Sequence, residues 1–362
     1  MSEPLKDIKK NSEKRESERN ELKSVLTDTK PESEPEPEII EKDFVPHFFP
    51  TFRISRKFYA VPIILVVIFA GILSYITYVI AGVQIEGGYV SEKDYGITAG
   101  LINGLIFVSI AAISSFIIIF LVKKRGIDVL RYIFGVSFGL LGFTLTWFFG
   151  DIFLFLLFYN LPSTDFIFGL YVFFSYFVLI GTIAFTIIMI YKYFSTKSIA
   201  TKNTIVLYIS LLTGAMLGII MPLWTTLTAL ILFSLWDIYA VKAKRGPIKE
   251  MIDIASKGEQ IKNLSEDEIK QKIDSGEIIY DTSKLEIGIG DLTFYSMLTS
   301  CALIITGNLL VMFFTALAII IGTGITIQGL KKNKILPGLP ISIFLGIATM
   351  LLSWYILVIF NI

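Results

Sequence analysis

Apolar residues run in nine long blocks, at 58–82, 97–122, 128–160, 166–191, 204–221, 223–241, 287–305, 307–330 and 338–360. A helix rises about 1.5 Å per residue, so each block can cross a hydrocarbon core of about 30 Å. The third block contains Gly150-Asp151. Cutting it there leaves only Ile152 to Leu161 as a second piece, too short to cross, so it is one span. Polar connections fix the parity. Lys123, Lys124 and Arg125 follow the second span, Lys192, Lys197 and Lys202 the fourth. Lys242, Lys244 and Arg245 follow the sixth, and Lys331, Lys332 and Lys334 the eighth, while the alternate connections hold only Lys93. Nine spans with a cytosolic amino terminus satisfy the positive-inside rule at every loop. The pattern predicts an all-α, multi-pass membrane protein.

Composition agrees. The chain is 54% hydrophobic and 17% charged, where a soluble domain carries about a quarter charged residues. Residues 1–50 form a polar tail whose mixed charge and scarce apolar surface predict a disordered cytosolic segment. Across its end, residues 44–57, with Phe44, Phe48, Phe49, Arg53, Arg56 and Lys57, read as an interfacial lead-in to the first span. Residues 51–221 then form an amino-terminal bundle of spans one to five, and 222–362 a part holding spans six to nine and a cytosolic loop at 242–286. In that loop Ser265-Glu266-Asp267-Glu268 predicts a capping box for a short helix ending near Gly276. A net charge of +1 with no basic patch gives no reason to expect nucleic acid. Cys301, the single cysteine, lies in an apolar run and reads as a small buried hydrophobe.

The chemistry is narrowed by one absence. The single histidine, His47, lies outside every span. A zinc protease of the HExxH type needs two histidines on one helix face, and a hydrolase with an imidazole base needs one beside its nucleophile. Carboxylates remain. Asp237 is the only charge in residues 223–241, and Asp291 opens the next span with no further charge before Lys331. Insertion scales put an aspartate at mid-helix at roughly 2.5 to 3.5 kcal/mol. The sixth span runs towards the cytosol and the seventh away from it, so both acids lie about 7 to 8 Å inside the same boundary at about 1.5 Å per residue. Two carboxylates brought together in a poor dielectric share one proton. One then takes a proton from an attacking water while the other polarises a peptide carbonyl and protonates the leaving nitrogen. No metal or organic cofactor is needed. Gly288 and Gly290, flanking Ile289 before Asp291, allow close backbone approach, although small residues at that spacing also serve helix packing. Leu336-Pro337-Gly338-Leu339-Pro340 stands at the entrance of the ninth span, at the same depth by parity. Its two prolines suit an ordinary helix start and equally an unwound segment with free backbone groups.

Together these three segments resemble the presenilin and signal peptide peptidase family of intramembrane aspartyl proteases. The resemblance covers Ala215 to the carboxyl end. It rests on Met221-Pro222-Leu223-Trp224-Thr225, Trp236-Asp237-Ile238-Tyr239-Ala240-Val241, Lys244-Arg245-Gly246-Pro247-Ile248, Leu285-Glu286-Ile287-Gly288-Ile289-Gly290-Asp291, and Leu336-Pro337-Gly338-Leu339-Pro340. Trp236 stands where the family usually has tyrosine, and Gly338 replaces the alanine of its Pro-Ala-Leu segment. The resemblance implies a presenilin-like fold and hydrolysis of peptide bonds within transmembrane segments of membrane proteins or signal peptides. It implies Asp237 and Asp291 as the catalytic pair, with Pro337, Gly338 and Leu339 holding substrate. Gly288, Gly290, Trp236 and Tyr295 would shape the site, with Tyr239 packed beside it. The strand-like run from Lys284, including Leu285 and Ile287, would pair with an unwound substrate segment. A cell-membrane location, aspartates on the cytosolic side, and the archaeal branch of the family are further expectations. Two other readings stay open. A proton-coupled transporter would also use buried carboxylates, and a prepilin-peptidase-like enzyme would also carry GxGD. The loop at 242–286 lacks an apolar stretch for self-cleavage, so the purified chain is expected to run as one band of 40.7 kDa. Two stable fragments on a denaturing gel would defeat that expectation.

Overall fold

A computed structural model describes residues 38–41, 49–126, 128–242, 278–281, 284–330 and 337–360. The expected loop helix at 265–276, His47 and the basic residues after Lys242 and at 331–334 lie outside the described residues, as does most of the tail.

Among the described residues nine helices are long and apolar enough to span a membrane. They are α1 (Ala60–Tyr75, prolonged by a π turn over Ile76–Ile80), α2 (Ile97–Arg125), α3 (Asp128–Phe158), α4 (Asp165–Ser195) and α5 (Ile199–Ile220). The others are α6 (Leu223–Lys242), α7 (Ile289–Thr306), α8 (Leu309–Leu330) and α9 (Leu339–Phe360). The third block is one unbroken helix through Gly150-Asp151. α5 begins earlier than the apolar pattern alone predicts, because Ser198 Oγ caps it by accepting from the Thr201 N–H at 3.4 Å.

The chain divides into two compact units, of which the smaller holds Met1–Lys42 and Ile261–Asp281. In it β1 (Glu38–Glu41) pairs in parallel with β3 (Ile278–Asp281). The larger unit holds all nine helices and a second two-stranded sheet, β2 (Thr51–Ser55) with β4 (Lys284–Gly288). This pair is antiparallel, in a register running from Thr51 opposite Gly288 to Ser55 opposite Lys284. The lead-in reading of residues 44–57 is corrected here for 51–55. Arg53, Arg56 and Lys57 signalled an interface, but Phe52 is buried between two outward neighbours, which is the period of a strand with one covered face.

α7 lies at the centre and is the most deeply covered span, packed against α5, α1, α8, α6 and α9. Small residues make the approach possible. A Cβ added at Gly214 or Gly218 of α5 would lie 2.3 Å from Ser296 Cβ or 2.5 Å from Ser300 Cβ of α7. Gly100 and Gly104 of α2 face Trp224 and Thr228 of α6 equally tightly, at 2.5 and 2.7 Å. Each is a small-xxx-small face, the arrangement by which helices in lipid gain contact without a hydrophobic driving force. The amino end of α6 is gripped separately. Glu92 accepts from the Trp224 N–H at 3.1 Å and from the Thr225 N–H, so a carboxylate meets the positive end of the helix. Buried Asn103 of α2 joins the same region, accepting from the Tyr89 and Val90 N–H groups at 2.9 Å and donating to Thr225 Oγ1 at 3.1 Å. The two helices that carry the lone aspartates are thus located by backbone-level contacts on either side.

Candidate active site

Asp237 belongs to the last turns of α6, Asp291 to the first turn of α7. Helical spacing decides how they face. Phe233 precedes Asp237 by one turn, and Phe294 follows Asp291 by three residues, so each ring shares a face with its aspartate. The two rings stack, with centroids 4.9 Å apart and planes 30° apart. The aspartate-bearing faces of adjacent helices are therefore turned towards each other.

The start of α9 completes the site. Leu339 N–H donates to Asp237 Oδ2 at 3.2 Å. Gly338 meets Asp291 from its other side: a Cβ there would lie 2.8 Å from Asp291 Oδ2 and 3.5 Å from its Cγ. One dipeptide thus touches both acids. The two carboxylates, both half-buried, lie within electrostatic reach of each other. Gly338 is accordingly more than a looser alanine. It permits the contact.

Tyr295, buried and one turn beyond Asp291, ties three helices together. Its Oη lies 3.5 Å from the Gly338 carbonyl and 3.3 Å from Ser342 Oγ of α9, and it accepts from Thr323 Oγ1 of α8 at 3.4 Å. Thr323 and Ser342 are themselves 3.0 Å apart. Sequence reasoning passed over both, since hydroxyl residues are common on helix-packing faces in lipid and bond readily to their own backbone. Thr323 does so as well, to the Ile319 carbonyl at 2.9 Å.

The remaining predicted residues divide. Pro337, Leu339, Leu285 and Ile287 are all buried, and of these Leu339 bonds directly to Asp237. A Cβ at Gly288 would lie 3.9 Å from Asp291 Cγ, an ordinary contact, while Gly290 faces open space. Trp236 turns elsewhere, its ring meeting Phe116 of α2 at 6.0 Å and Tyr239 at 5.3 Å. Tyr239 is 50% exposed, so the expectation that it packs beside the acids is corrected. Two residues after Asp237 it points to another side of α6. Among the described residues no cluster of His, Cys, Asp and Glu is arranged to hold a metal ion.

The geometry has a counterpart among known proteins. The family model named Presenilin matches residues 60–265 and 257–361. The chain belongs to the presenilin family. Presenilin-B of Dictyostelium discoideum is 34% identical over 139 residues, a match covering 37% of this chain and 26% of that protein. A presenilin-like protein of Arabidopsis thaliana is 23% identical over 334 residues, covering 72% of this chain and 79% of its relative. Among solved structures, a presenilin family intramembrane aspartate protease superposes with a TM-score of 0.51 at 15% identity, over 82% of this chain and 97% of the other. At that identity the likeness speaks for the fold. In this presenilin three of the segments that carried the resemblance, those holding Asp237, Asp291 and Gly338, come together at the two aspartates.

Proposed function

We propose that this presenilin is an intramembrane aspartyl endopeptidase, in which Asp237 and Asp291 activate a water that attacks a peptide bond of a membrane-spanning substrate. The observation that carries the reading is the convergence of both carboxylates on the Gly338–Leu339 backbone. Family membership supports the same activity, and nothing favours a transporter or a prepilin-peptidase-like enzyme. The paired acids share a proton and titrate as a unit. The ionised member accepts a proton from water; the protonated member polarises the scissile carbonyl and then protonates the departing nitrogen. The backbone N–H of Leu339 holds the Asp237 carboxylate in one orientation while this happens. Substrates of this chemistry are membrane proteins or signal peptides that reach the acids from within the bilayer. By loop charge the acids lie towards the cytosolic face of the cell membrane.

A helical peptide carbonyl is shielded, so the substrate must unwind, and β4 offers an edge to receive it. The ladder has a phase. Ile289 N–H donates to the Pro50 carbonyl at 3.1 Å, so the bonded pairs alternate through Phe52–Ile287 and Ile54–Leu285. The backbone groups of Leu285 and Ile287 therefore face β2, and those of Glu286 face the other edge. Proline at Leu285 or Ile287 would break the internal sheet. Proline at Glu286 leaves that ladder intact and removes the outward N–H. Glu286→Pro is expected to lower kcat/KM about tenfold below Glu286→Ala, the worth of one hydrogen bond at about 1.4 kcal/mol. Equal rates for the two variants would remove the added-strand idea.

The reading as a whole is tested with purified protein in liposomes and a panel of single-span substrates, with cleavage sites mapped by mass spectrometry. Cleavage that vanishes in either aspartate variant is expected. Aspartate-dependent proton flux with no peptide bond cut would overturn the reading.

A further inference from the structure

β4 enters α7 through a glycine-flanked junction, and α7 begins without a side-chain cap. Glycine leaves the backbone many directions there, so little that is local fixes the first turn in which Asp291 stands. Ser210 of α5 donates to the Ile289 carbonyl at 3.4 Å, and further fixing groups come from the segment ahead of α1. Through the Ile289 N–H bond to Pro50, the β2–β4 ladder extends into the first residue of α7. Glu286, five residues before Asp291, is held at both oxygens: Arg53 Nε lies 2.8 Å from Oε1, and the Thr51 hydroxyl donates to Oε2 at 3.0 Å. The ion pair is mostly covered, at 17% and 23% exposure, and is less screened by water than a surface pair. β2 is anchored in turn. Asn203 of α5 accepts from the Arg53 N–H at 2.9 Å and donates to the Arg53 carbonyl at 2.8 Å. One side-chain amide thereby bonds both main-chain groups of Arg53, as a neighbouring strand would.

We propose that Arg53, through Glu286 and with Asn203 as its anchor, is a positioning residue that sets the approach of Asp291 to Asp237. The proposal rests on the peptidase reading above. Neither side chain touches the reacting atoms in this scheme; both act through the direction of the first turn of α7. A misplacement of about 1 Å in a catalytic group can lower a rate by up to about 10²-fold. Removing one member of a covered pair also leaves the other charge uncompensated. The effect therefore belongs in turnover rather than in substrate affinity.

The experiment measures kcat and KM for a mapped single-span substrate in liposomes, alongside thermal unfolding, for the wild type, Arg53→Ala, Arg53→Lys and the exchange pair Arg53→Glu with Glu286→Arg. Arg53→Ala is expected to lower kcat about tenfold, within the range that misplacement allows, with KM changed less than about twofold and the protein still folded at the assay temperature, although the uncompensated charge lowers its unfolding temperature. Arg53→Lys and the exchange pair should each recover a substantial part of kcat. Wild-type kcat in Arg53→Ala would overturn the positioning role while leaving the peptidase reading standing. A fall in kcat that tracks lost thermal stability and is rescued by neither variant would overturn it too, as a purely structural effect. A wild-type protein that cuts no substrate would bring down the peptidase reading, and this inference with it.

Discussion

Alanine at either Asp237 or Asp291 is expected to lower the rate of peptide-bond cleavage at least about 10³-fold, because groups that act as a unit lose nearly everything when one is removed. The same logic predicts non-additivity: the double variant should be no slower than either single one. Asparagine at each position keeps the shape and much of the hydrogen bonding, so Asp237→Asn should still receive the Leu339 N–H. It cannot take a proton from water, and is expected to be as inactive as alanine. The measurement is single-turnover hydrolysis at a mapped bond, with thermal unfolding to show that each variant is folded. Near-normal cleavage by either asparagine variant would remove that carboxylate from the reaction.

Valine at Gly338 has the second largest expected effect. A Cβ there would stand 2.8 Å from Asp291 Oδ2, closer than real Cβ atoms approach. A single methyl leaves the short aspartate side chain some room to swing aside. Valine adds two γ carbons and is stiff about χ1, so either the carboxylate or the start of α9 must move. The second movement carries the Leu339 N–H away from Asp237, and the two acids lose their common support together. Gly338→Val should lower kcat by about 10²-fold, the loss that a misplacement of about 1 Å can produce, and Gly338→Ala should fall between it and the wild type. Full activity in Gly338→Val would show that the close contact with Asp291 has no part in turnover.

Much of this was legible in one dimension. Span number follows from block length against bilayer thickness, and the third block shows the argument at its strongest, since Gly150-Asp151 interrupts composition and not the helix. Asp237 and Asp291 stood out because isolated charge in an apolar run is expensive and rare. Tyr239 was misjudged because sequence distance from Asp237 says nothing about rotation; two residues along a helix is another face. Ser342 and Thr323 carried no signal, being two among many hydroxyl residues in apolar spans. β2 was missed because its partner lies more than two hundred residues downstream.

Sequence alone therefore determined membrane residence and the nine spans, and singled out two isolated acids as candidates, because those depend on transfer free energies that accumulate residue by residue. The tertiary structure decided which faces meet: the stacked Phe233 and Phe294, the Gly338 backbone lodged against Asp291, the Arg53 strand behind Glu286. These depend on helix rotation and on pairing between distant segments, and both are set by the packing of the whole bundle rather than by any local stretch of chain.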